Sequence, residues 1–243
     1  MVTGGGGGIG YEVAKGFAEA GADVAIWYNS SKKAIERAEG ISKKYGVKCK
    51  AYQCEVTNSD HVTEVVNQVY KDFGNQLDIA VVNHGIPSTT SVLDGGVKEW
   101  EKVVNIDFNG AFYVARAVGE IFKKQQSGNL IFTASMSGLI VNVPQLQGCY
   151  NSCKAGLIHL AKSLAVEWAF FNARVNSVSP GYIHTEISDF IPKETQEKWY
   201  SMTPMRRDGD PRELKAAYLY LASDASTYTT GSNIVVDGGY TCQ

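Results

Sequence analysis

A run of five glycines near the amino terminus constrains the fold of this chain more than any other feature. Gly4 to Gly8 are followed by Ile9 and Gly10, and then by apolar residues at helical spacing as far as Gly21. A glycine turn between a strand and a helix exposes backbone N–H groups and the positive helix end, an arrangement that suits a pyrophosphate. A flexible linker would not lead directly into an amphipathic helix. The stretch therefore predicts a dinucleotide-binding turn.

The glycine run satisfies two spacings, G-x-G-x-x-G and T-G-x-x-x-G-x-G. The second spacing uses Thr3, Gly4, Gly8 and Gly10. Only two residues precede Thr3, whereas a central strand normally has about 5 or 6 residues. We therefore expect the first strand to be truncated at the amino terminus, with residues missing ahead of it.

Strand-like and helical segments alternate along the rest of the chain. The predicted strands are 24–28, 48–54, 77–83, 129–134, 174–179 and 234–237, and the predicted helices include 60–73, 97–126, 149–171 and 211–222. Strands separated by segments of helical length argue for a parallel sheet with helices on both faces. The sequence therefore predicts an α/β fold, a single Rossmann-type doubly wound parallel sheet, in one domain over residues 1–243.

The composition bounds the class of protein. The 243 residues are 44% hydrophobic and 20% charged, and their formal net charge of −2 offers no electrostatic case for nucleic acid or an anionic membrane. We see no apolar run near the 20 or so residues of a transmembrane helix, and no signal segment. Five cysteines without paired motif spacing indicate free thiols in a reducing compartment, with no metal. We expect a cytoplasmic protein with a small-molecule substrate.

Candidate binding residues collect at the predicted carboxyl ends of the strands, where ligands of parallel sheets bind. They are the glycine turn, then Asn29, Ser30 and Ser31, then Glu55 and Val56, then Asn83 and Gly85, then Ser135, and finally Pro180 and Gly181. Because these segments follow successive strands, the sequence predicts one shared ligand site.

The end of the strand at 24–28 favours NADP over NAD. An acidic residue there would bind the adenosine ribose 2′-OH of NAD and repel the 2′-phosphate of NADP, and none is present between Val24 and Ile35. The hydroxyls of Ser30 and Ser31, followed by two lysines, suit a phosphate. A serine cap on a solvated helix start is compatible with this interpretation. We therefore predict NADP (NADPH) as the cofactor.

Tyr150 and Lys154 predict a proton-handling site. Their spacing of four residues places them on one face of the predicted helix at 149–171. An ammonium held close to a phenol favours the phenolate, which can then act as an acid or base near neutral pH. An exposed helix face is the alternative interpretation of the pair taken alone.

Together these motifs resemble the short-chain dehydrogenase/reductase family over nearly the whole chain. The motifs are the glycine pattern from Thr3 to Gly10, Asn83-His84-Gly85, Ser135, Tyr150 with Lys154, and Pro180-Gly181-Tyr182-Ile183-His184-Thr185. Within the family the sequence is most similar to yeast NADPH-dependent sorbose and carbonyl reductases, and to fungal mannitol dehydrogenases.

The resemblance implies roles for the central residues. Tyr150 would give a proton to the substrate carbonyl and take it back in alcohol oxidation. Lys154 would hold the nicotinamide ribose, and Ser135 would hydrogen-bond the carbonyl oxygen. Ser135 is preferred to its neighbour Ser137 because the family serine lies three residues before a glycine, here Gly138. By the same resemblance Ile9, Ile183 and Thr185 join the cofactor-binding residues.

The sequence departs from the family pattern in three places, one of which is Gly6 and Gly7, where the family often has polar or basic side chains. The family usually has an asparagine three residues before a glycine in the long helix, where it supports a proton relay to the lysine; Gly110 puts Asp107 at that position. Asp107 could serve the relay or be an ordinary helix carboxylate. Glu55 replaces the common aspartate beside the adenine, with Val56 unchanged. His84 lies where the nicotinamide should be, although the family needs no imidazole there.

Substrate choice should reside in a lid at about 186–205. Its apolar and aromatic residues suit an aryl ketone, although Trp199 and Tyr200 could equally stack on a sugar; the set is Ile187, Phe190, Trp199, Tyr200 and Met202. The resemblance implies an NADPH-dependent carbonyl reductase that interconverts a ketose or small hydroxyketone, L-sorbose or fructose above all, with the polyol or secondary alcohol. A non-catalytic NADP(H)-binding redox sensor is the alternative. Family members imply a homo-oligomer, a tetramer or a dimer.

Overall fold

The computed structural model describes residues 1–88, 90–186, 188 and 191–243. In that part of the chain the strands are β1 (Val24–Tyr28), β2 (Cys49–Gln53), β3 (Ile79–Val82), β4 (Gly128–Thr133), β5 (Ala173–Pro180) and β6 (Asn233–Val236). β1 pairs with β2, and the other four strands follow the order β3-β4-β5-β6. All of these pairings are parallel.

Val2 joins the two groups of strands into one sheet. It forms parallel bridges to Ile26 of β1 and to Val81 of β3 and is completely buried. Its N–H donates to Ala25 O at 2.8 Å, and its carbonyl accepts from Trp27 N at 2.9 Å. The start of the chain thus contributes a bridge at Val2 where the sequence suggested a short first strand.

Helices cover both faces of the sheet. They are α1 (Gly8–Glu19), α2 (Lys33–Tyr45), α3 (Ser59–Asp72), α4 (Val92–Val103), α5 (Gly110–Gln125), α6 (Gly148–Trp168), α7 (Lys193–Met202) and α8 (Lys215–Ala222). Side chains of one strand alternate between the faces: Leu130 and Phe132 of β4 join a core with residues of α3, α5 and α6, whereas Ile131 joins a core with residues of α1, α2 and α8. The predicted doubly wound α/β fold is confirmed.

A π-helical turn interrupts the long helix predicted at 97–126. α4 ends at Val103, the π-helical turn spans Val104–Asn109, and α5 begins at Gly110. The predicted long helical region is therefore present, and the π-helical turn inside it escaped prediction because apolar spacing does not reveal a change from i→i+4 to i→i+5 hydrogen bonds. The turn carries Asp107, which is completely buried.

Two other predicted helices differ at their ends. The helix predicted at 149–171 ends at Trp168 and continues as a 3₁₀ turn at Ala169–Phe171. The helix predicted at 211–222 opens with a 3₁₀ turn at Pro211–Leu214 before α8. Asp210 and Glu213 form a capping box on this turn. The Asp210 side chain accepts a hydrogen bond from Arg212 N, and the Glu213 side chain accepts one from Asp210 N. No helix in the ranges described above is long and apolar enough to cross a membrane.

Candidate active site

A cleft of about 450 Å³ opens at the carboxyl ends of β3, β4 and β5. It is lined by Gly4, Gly7, Gly8, Ile9, Asn83, His84, Gly85, Ile86, Pro87, Thr133, Ala134, Ser135, Tyr150, Lys154, Pro180, Gly181, Thr185 and Glu186. Eleven of the predicted site residues are in this lining: Gly4, Gly8, Ile9, Asn83, Gly85, Ser135, Tyr150, Lys154, Pro180, Gly181 and Thr185. The structure therefore brings the glycine turn and the Tyr150 region to one cavity.

The glycine turn fits a pyrophosphate. Gly7 precedes α1 and provides no side-chain cap, and the first turn of α1 has no acidic residue. The N–H groups at this helix end are thus left for an anion. A Cβ on Gly10 would overlap the carbonyl oxygen of Gly4, so the turn can pack this closely on α1 only with glycine at that position. These features match the pyrophosphate cradle of a dinucleotide cofactor.

Ser135 is positioned by a short 3₁₀ turn that packs against α6. The turn spans Met136–Gly138, and Ser135 Oγ accepts a hydrogen bond from Ser137 N at 3.1 Å. Because the oxygen accepts there, the hydroxyl proton is free to point elsewhere. A Cβ on Gly138 would lie 2.7 Å from the carbonyl carbon of Lys154, so glycine is what lets this turn approach α6.

Tyr150 and Lys154 lie in the first two turns of α6. The Lys154 Nζ is 5.3 Å from the centroid of the Tyr150 ring and donates to Thr133 O at 3.3 Å. Lys154 is 3% exposed. The pair therefore faces the cleft and the end of β4, and it is not on a solvated helix face.

Asp107 reaches Lys154 from the π-helical turn. Its Oδ2 lies 3.5 Å from Lys154 Nζ, an ion pair, and its Oδ1 accepts from Ile86 N at 2.8 Å. Oδ2 has no hydrogen-bond partner within the described residues. Burial raises the pKa of the Asp107 carboxyl by more than the Lys154 charge lowers it. Burial lowers the pKa of Lys154, but attraction to Tyr150 and Asp107 outweighs it, so this pKa is raised.

His84 is a neutral link between the glycine turn and the cleft. Thr3 Oγ1 accepts from Asn83 N at 2.9 Å and from His84 N at 3.2 Å, and it lies 2.7 Å from His84 Nδ1. Since Oγ1 already accepts twice, we assign its proton to the bond with Nδ1. Burial first, and then the charge of Lys154, lowers the pKa of His84 to about 3. The imidazole is thus uncharged at neutral pH.

Seven predicted cofactor residues and one predicted catalytic residue lie outside the cleft lining. They are Gly10, Asn29, Ser30, Ser31, Glu55, Val56, Ile183 and Asp107. The Asn29 carbonyl accepts from Gln53 Nε2 at 2.8 Å, and the exposed Glu55 accepts from Thr57 Oγ1 at 2.7 Å. Ile183 bridges to Gly209. The roles of these eight residues stay predictions, as do the roles of the eleven in the lining.

The sequence interpretation missed two charged residues beside the glycine turn. Arg37, on α2, donates to Gly6 O and pairs with Glu186 Oε1 at 2.6 Å. Glu186 also lines the cleft. In the sequence, Arg37 is simply a basic residue one helical turn beyond Lys33, and that spacing alone does not predict a binding site.

The described part of the predicted lid contains α7, and Trp199 of α7 stacks on Tyr182 just ahead of the lid. The rings of Tyr182 and Trp199 are 4.1 Å apart and inclined by 6°. Gln145 links both rings, because its Oε1 accepts from Trp199 Nε1 at 2.9 Å and its Nε2 donates to Tyr182 OH at 2.9 Å. Tyr200 OH donates to Asp208 Oδ2 at 3.1 Å. Two further predicted lid residues, at 187 and 190, lie outside the described residues.

More amide groups continue from this stack towards Ser135. Asn142 Nδ2 donates to Tyr182 OH at 3.2 Å, and Gln147 Nε2 is 3.0 Å from Asn142 Oδ1 and 3.1 Å from Ser137 Oγ. A chain of amides thus runs from the aromatic stack to the turn that follows Ser135.

The fold and the cleft define the class of Rossmann-type oxidoreductases, and the comparisons specify the family. The family model described as enoyl-(acyl carrier protein) reductase matches residues 5–241. The chain belongs to the short-chain dehydrogenase/reductase family, as its motifs indicated.

Curated relatives and solved structures agree with this assignment. The chain is 59% identical to a probable NADP-dependent mannitol dehydrogenase of Yarrowia lipolytica, over 99% of this chain and 86% of that protein. It is also 59% identical to the sorbose reductase SOU1 of Candida albicans, with the same two coverages. A crystal structure of the NADPH-dependent 3-quinuclidinone reductase from Rhodotorula rubra superposes with a TM-score of 0.93 at 45% identity, over 99% of this chain and 90% of that one.

Proposed function

We propose that this protein is an NADPH-dependent carbonyl reductase that reversibly converts a ketose, of the L-sorbose or fructose type, to the corresponding polyol. The observation that carries the proposal is the meeting of Ser135, Tyr150 and Lys154 with the glycine turn in one cleft. Relatives that are 52–59% identical are named mannitol dehydrogenases, sorbose reductases and an L-xylulose reductase, and these names support the substrate class and NADP(H).

The protein's own residues would move the proton and hold the reacting groups. When bound, the nicotinamide supplies or accepts the hydride. Tyr150 gives its phenolic proton to the substrate oxygen during reduction and takes it back during oxidation. Ser135 keeps its proton and donates a hydrogen bond to the same oxygen, which stabilises the negative charge that develops there. Its bond from Ser137 N leaves that proton available.

Lys154 and Asp107 would keep the site charged and ordered. The ammonium of Lys154 stays protonated at neutral pH because its pKa is raised, after the opposing effect of burial, by Tyr150 and Asp107. One of its three protons is used by Thr133 O. The others are available to ribose hydroxyls and to the proton path from Tyr150, and the Asp107 carboxylate lies 3.5 Å from the ammonium.

The aromatic stack and the chain of amides contain side chains of the kinds that bind polyhydroxylated molecules, although they lie outside the lining of the cleft. Asn142, Gln145 and Gln147 line up between the aromatic stack and the Ser135 turn. Amide groups donate to and accept from hydroxyls, and an aromatic ring can pack on the C–H face of a sugar. The names of the relatives, rather than these side chains, carry the choice of a ketose over an aryl ketone.

Initial rates test the function directly. We would measure the oxidation of NADPH, and separately of NADH, with L-sorbose, with fructose and with an aryl hydroxyketone. The proposal predicts turnover of a ketose with a strong preference for NADPH. Turnover of the aryl ketone alone would overturn the substrate class, and binding of NADPH without turnover of any carbonyl would favour a redox sensor.

We also propose that the chain is a single domain, with its lid at 186–205, that works as a homo-oligomer in the cytoplasm. Phe112 of α5 and Val166 of α6 are 46% and 80% exposed, and Phe170 beside them is 74% exposed, an apolar surface that a second copy would cover. The free cysteines suit a reducing compartment. Light scattering would refute the oligomer if it returned the chain mass of 26.4 kDa.

A further inference from the structure

Arg37 presents an ordered guanidinium at the glycine turn. Its Nη1 donates to the carbonyl of Gly6, and its Cζ lies 4.9 Å from the centroid of the Tyr11 ring. Only 24% of the side chain is exposed. A guanidinium held by a carbonyl on one side and by an aromatic ring on another loses little further freedom when it binds an anion.

This guanidinium lies where the adenosine ribose of a dinucleotide binds. A Cβ on Gly6 would be 3.1 Å from Ala34 Cβ and 3.6 Å from Tyr28 Cβ, so the glycine turn meets the end of β1 and the start of α2 here. A Cβ on Gly7 would be 3.0 Å from Arg37 Nη1. In Rossmann-type folds the ribose lies between the glycine turn and the end of the following strand, and a nearby arginine accommodates a 2′-phosphate.

Glu186 places a carboxylate on this guanidinium. Its Oε1 is 2.6 Å from Arg37 Nη2, and 68% of its side chain is exposed. The hydrogen bond from Arg37, followed by the charge of Arg37, lowers the pKa of the Glu186 carboxyl, which therefore stays ionised at neutral pH. A phosphate binds the same planar fork of N–H donors as a carboxylate. An exposed carboxylate on an ordered arginine is readily exchanged for another anion.

We propose that Arg37 recognises the 2′-phosphate of NADP(H), and that the phosphate replaces Glu186 on the guanidinium when the cofactor binds. The inference rests on the proposed function, since it names a specificity residue for that cofactor. Glu186 follows Thr185, whose Cγ2 would lie 3.4 Å from a Cβ on Gly8. The ion pair between Arg37 and Glu186 therefore connects the start of the lid to the adenosine end of the cleft. NADPH breaks this ion pair, whereas NADH leaves it intact.

Binding of 2′,5′-ADP and of 5′-ADP tests the proposal without any turnover. The two probes differ only in the 2′-phosphate. Titration calorimetry would compare the wild type with Arg37→Gln, Arg37→Lys and Glu186→Gln. Arg212→Gln is the matched control, because it removes an exposed arginine that pairs with Asp210, away from the cleft lining. Thermal unfolding of each variant would establish that the chain remains folded.

We expect Arg37→Gln to weaken 2′,5′-ADP by about 10- to 100-fold and to leave 5′-ADP unchanged, in line with loss of a hydrogen bond to a charged group. Arg37→Lys keeps the positive charge but loses the planar fork of N–H donors. Its affinity for 2′,5′-ADP should therefore lie between that of the wild type and that of Arg37→Gln. Glu186→Gln should strengthen 2′,5′-ADP binding several-fold, because the phosphate no longer displaces a charged partner, and Arg212→Gln should change neither probe.

The possible failures are distinguishable. A wild type that binds both probes equally would overturn the NADP preference and, with it, the proposed function. A wild type that prefers 2′,5′-ADP while Arg37→Gln keeps that preference would overturn only the assignment of Arg37. If Arg37→Gln loses the preference but Glu186→Gln binds 2′,5′-ADP as the wild type does, the exchange with Glu186 is wrong.

Discussion

The Oδ2 atom of Asp107 lies 3.5 Å from the Nζ atom of Lys154, and both side chains are buried. The two residues come from different elements, the π-helical turn and α6. A buried ammonium is costly unless an opposite charge and hydrogen bonds accompany it. The contact therefore ties the stability of the fold to the same lysine that we propose to act in the reaction.

Asp107→Ala should destabilise the protein by about 3–5 kcal/mol, because it leaves Lys154 buried without its partner. Asp107→Asn keeps an oxygen acceptor for Ile86 N and should cost less. The folded-state pKa of Lys154 is raised above its usual value of 10.5. The protonated lysine therefore contributes to the free energy of unfolding at pH values below 10.5, and this contribution is lost as the pH rises through the folded-state pKa. Alkaline unfolding should therefore start at a lower pH in Asp107→Ala. Urea midpoints from pH 7 to 11 would measure this. The prediction would be contradicted if the wild type, Asp107→Ala and Asp107→Asn all began to lose stability at the same alkaline pH.

Tyr150→Phe should reduce turnover by about 10²- to 10⁴-fold, because it removes the proposed proton donor and little else. Cofactor affinity and the urea midpoint should stay close to those of the wild type. Tyr228→Phe is the matched control, since the Tyr228 side chain is fully exposed. Steady-state rates with the best ketose would measure the effect, and full turnover by Tyr150→Phe would refute the proposed mechanism.

Gly138→Ala should cost about 1–3 kcal/mol, because the new Cβ would lie 2.7 Å from backbone of Lys154 and one of the two segments must move. Turnover should fall as well, since the move separates Ser135 from Tyr150.

For Gly40→Ala we expect the opposite effect on stability. Gly40 is in the middle of α2, and its Cβ would meet nothing within 4 Å. Alanine there should stabilise the protein by about 0.5–1 kcal/mol. Denaturant melts of both variants would decide, and destabilisation by Gly40→Ala would contradict the packing.

Asp210→Ala should destabilise the protein by about 1 kcal/mol at neutral pH, through loss of the cap before α8. The hydrogen bond from the Arg212 side chain, before the bond from its backbone, lowers the pKa of Asp210 to about 2. A lowered folded-state pKa gives stability that is present above the ordinary aspartate pKa of about 4 and is lost as pH falls to about 2. The difference between wild type and variant should therefore shrink over that range. Urea midpoints at pH 7, 4 and 3 would measure it, and a difference that is the same at all three would be the contrary result.

The sheet and most of the cleft could be predicted because their signals are local. Apolar runs gave the strands, and the glycine turn, Ser135, Tyr150 and Lys154 each follow or open an element whose position the alternation of strands and helices dictates. Parallel strands bring their carboxyl ends to one edge, so these residues meet without further information.

The rest depends on contacts between distant residues, which no local pattern carries. Arg37 and Glu186 are 149 positions apart, and Trp199 meets Gln145 across 54. Neither pair lies in a motif, and each joins a helix residue to a distant segment of the chain. The single-residue bridge at Val2 could not be predicted for a related reason, because it is defined only by its pairing with Ile26 and Val81 in the folded sheet.

The π-helical turn at Val104–Asn109 sets the rotational register of the two helices it joins. Each residue of an α-helix turns the chain by about 100°. Removing one residue from this segment would restore regular i→i+4 bonds, but it would rotate α4 by that angle against α5. Either Asp107 would leave Lys154 or the apolar face of α5 would leave the core. The number of residues between α4 and α5 therefore constrains the ion pair and the core together.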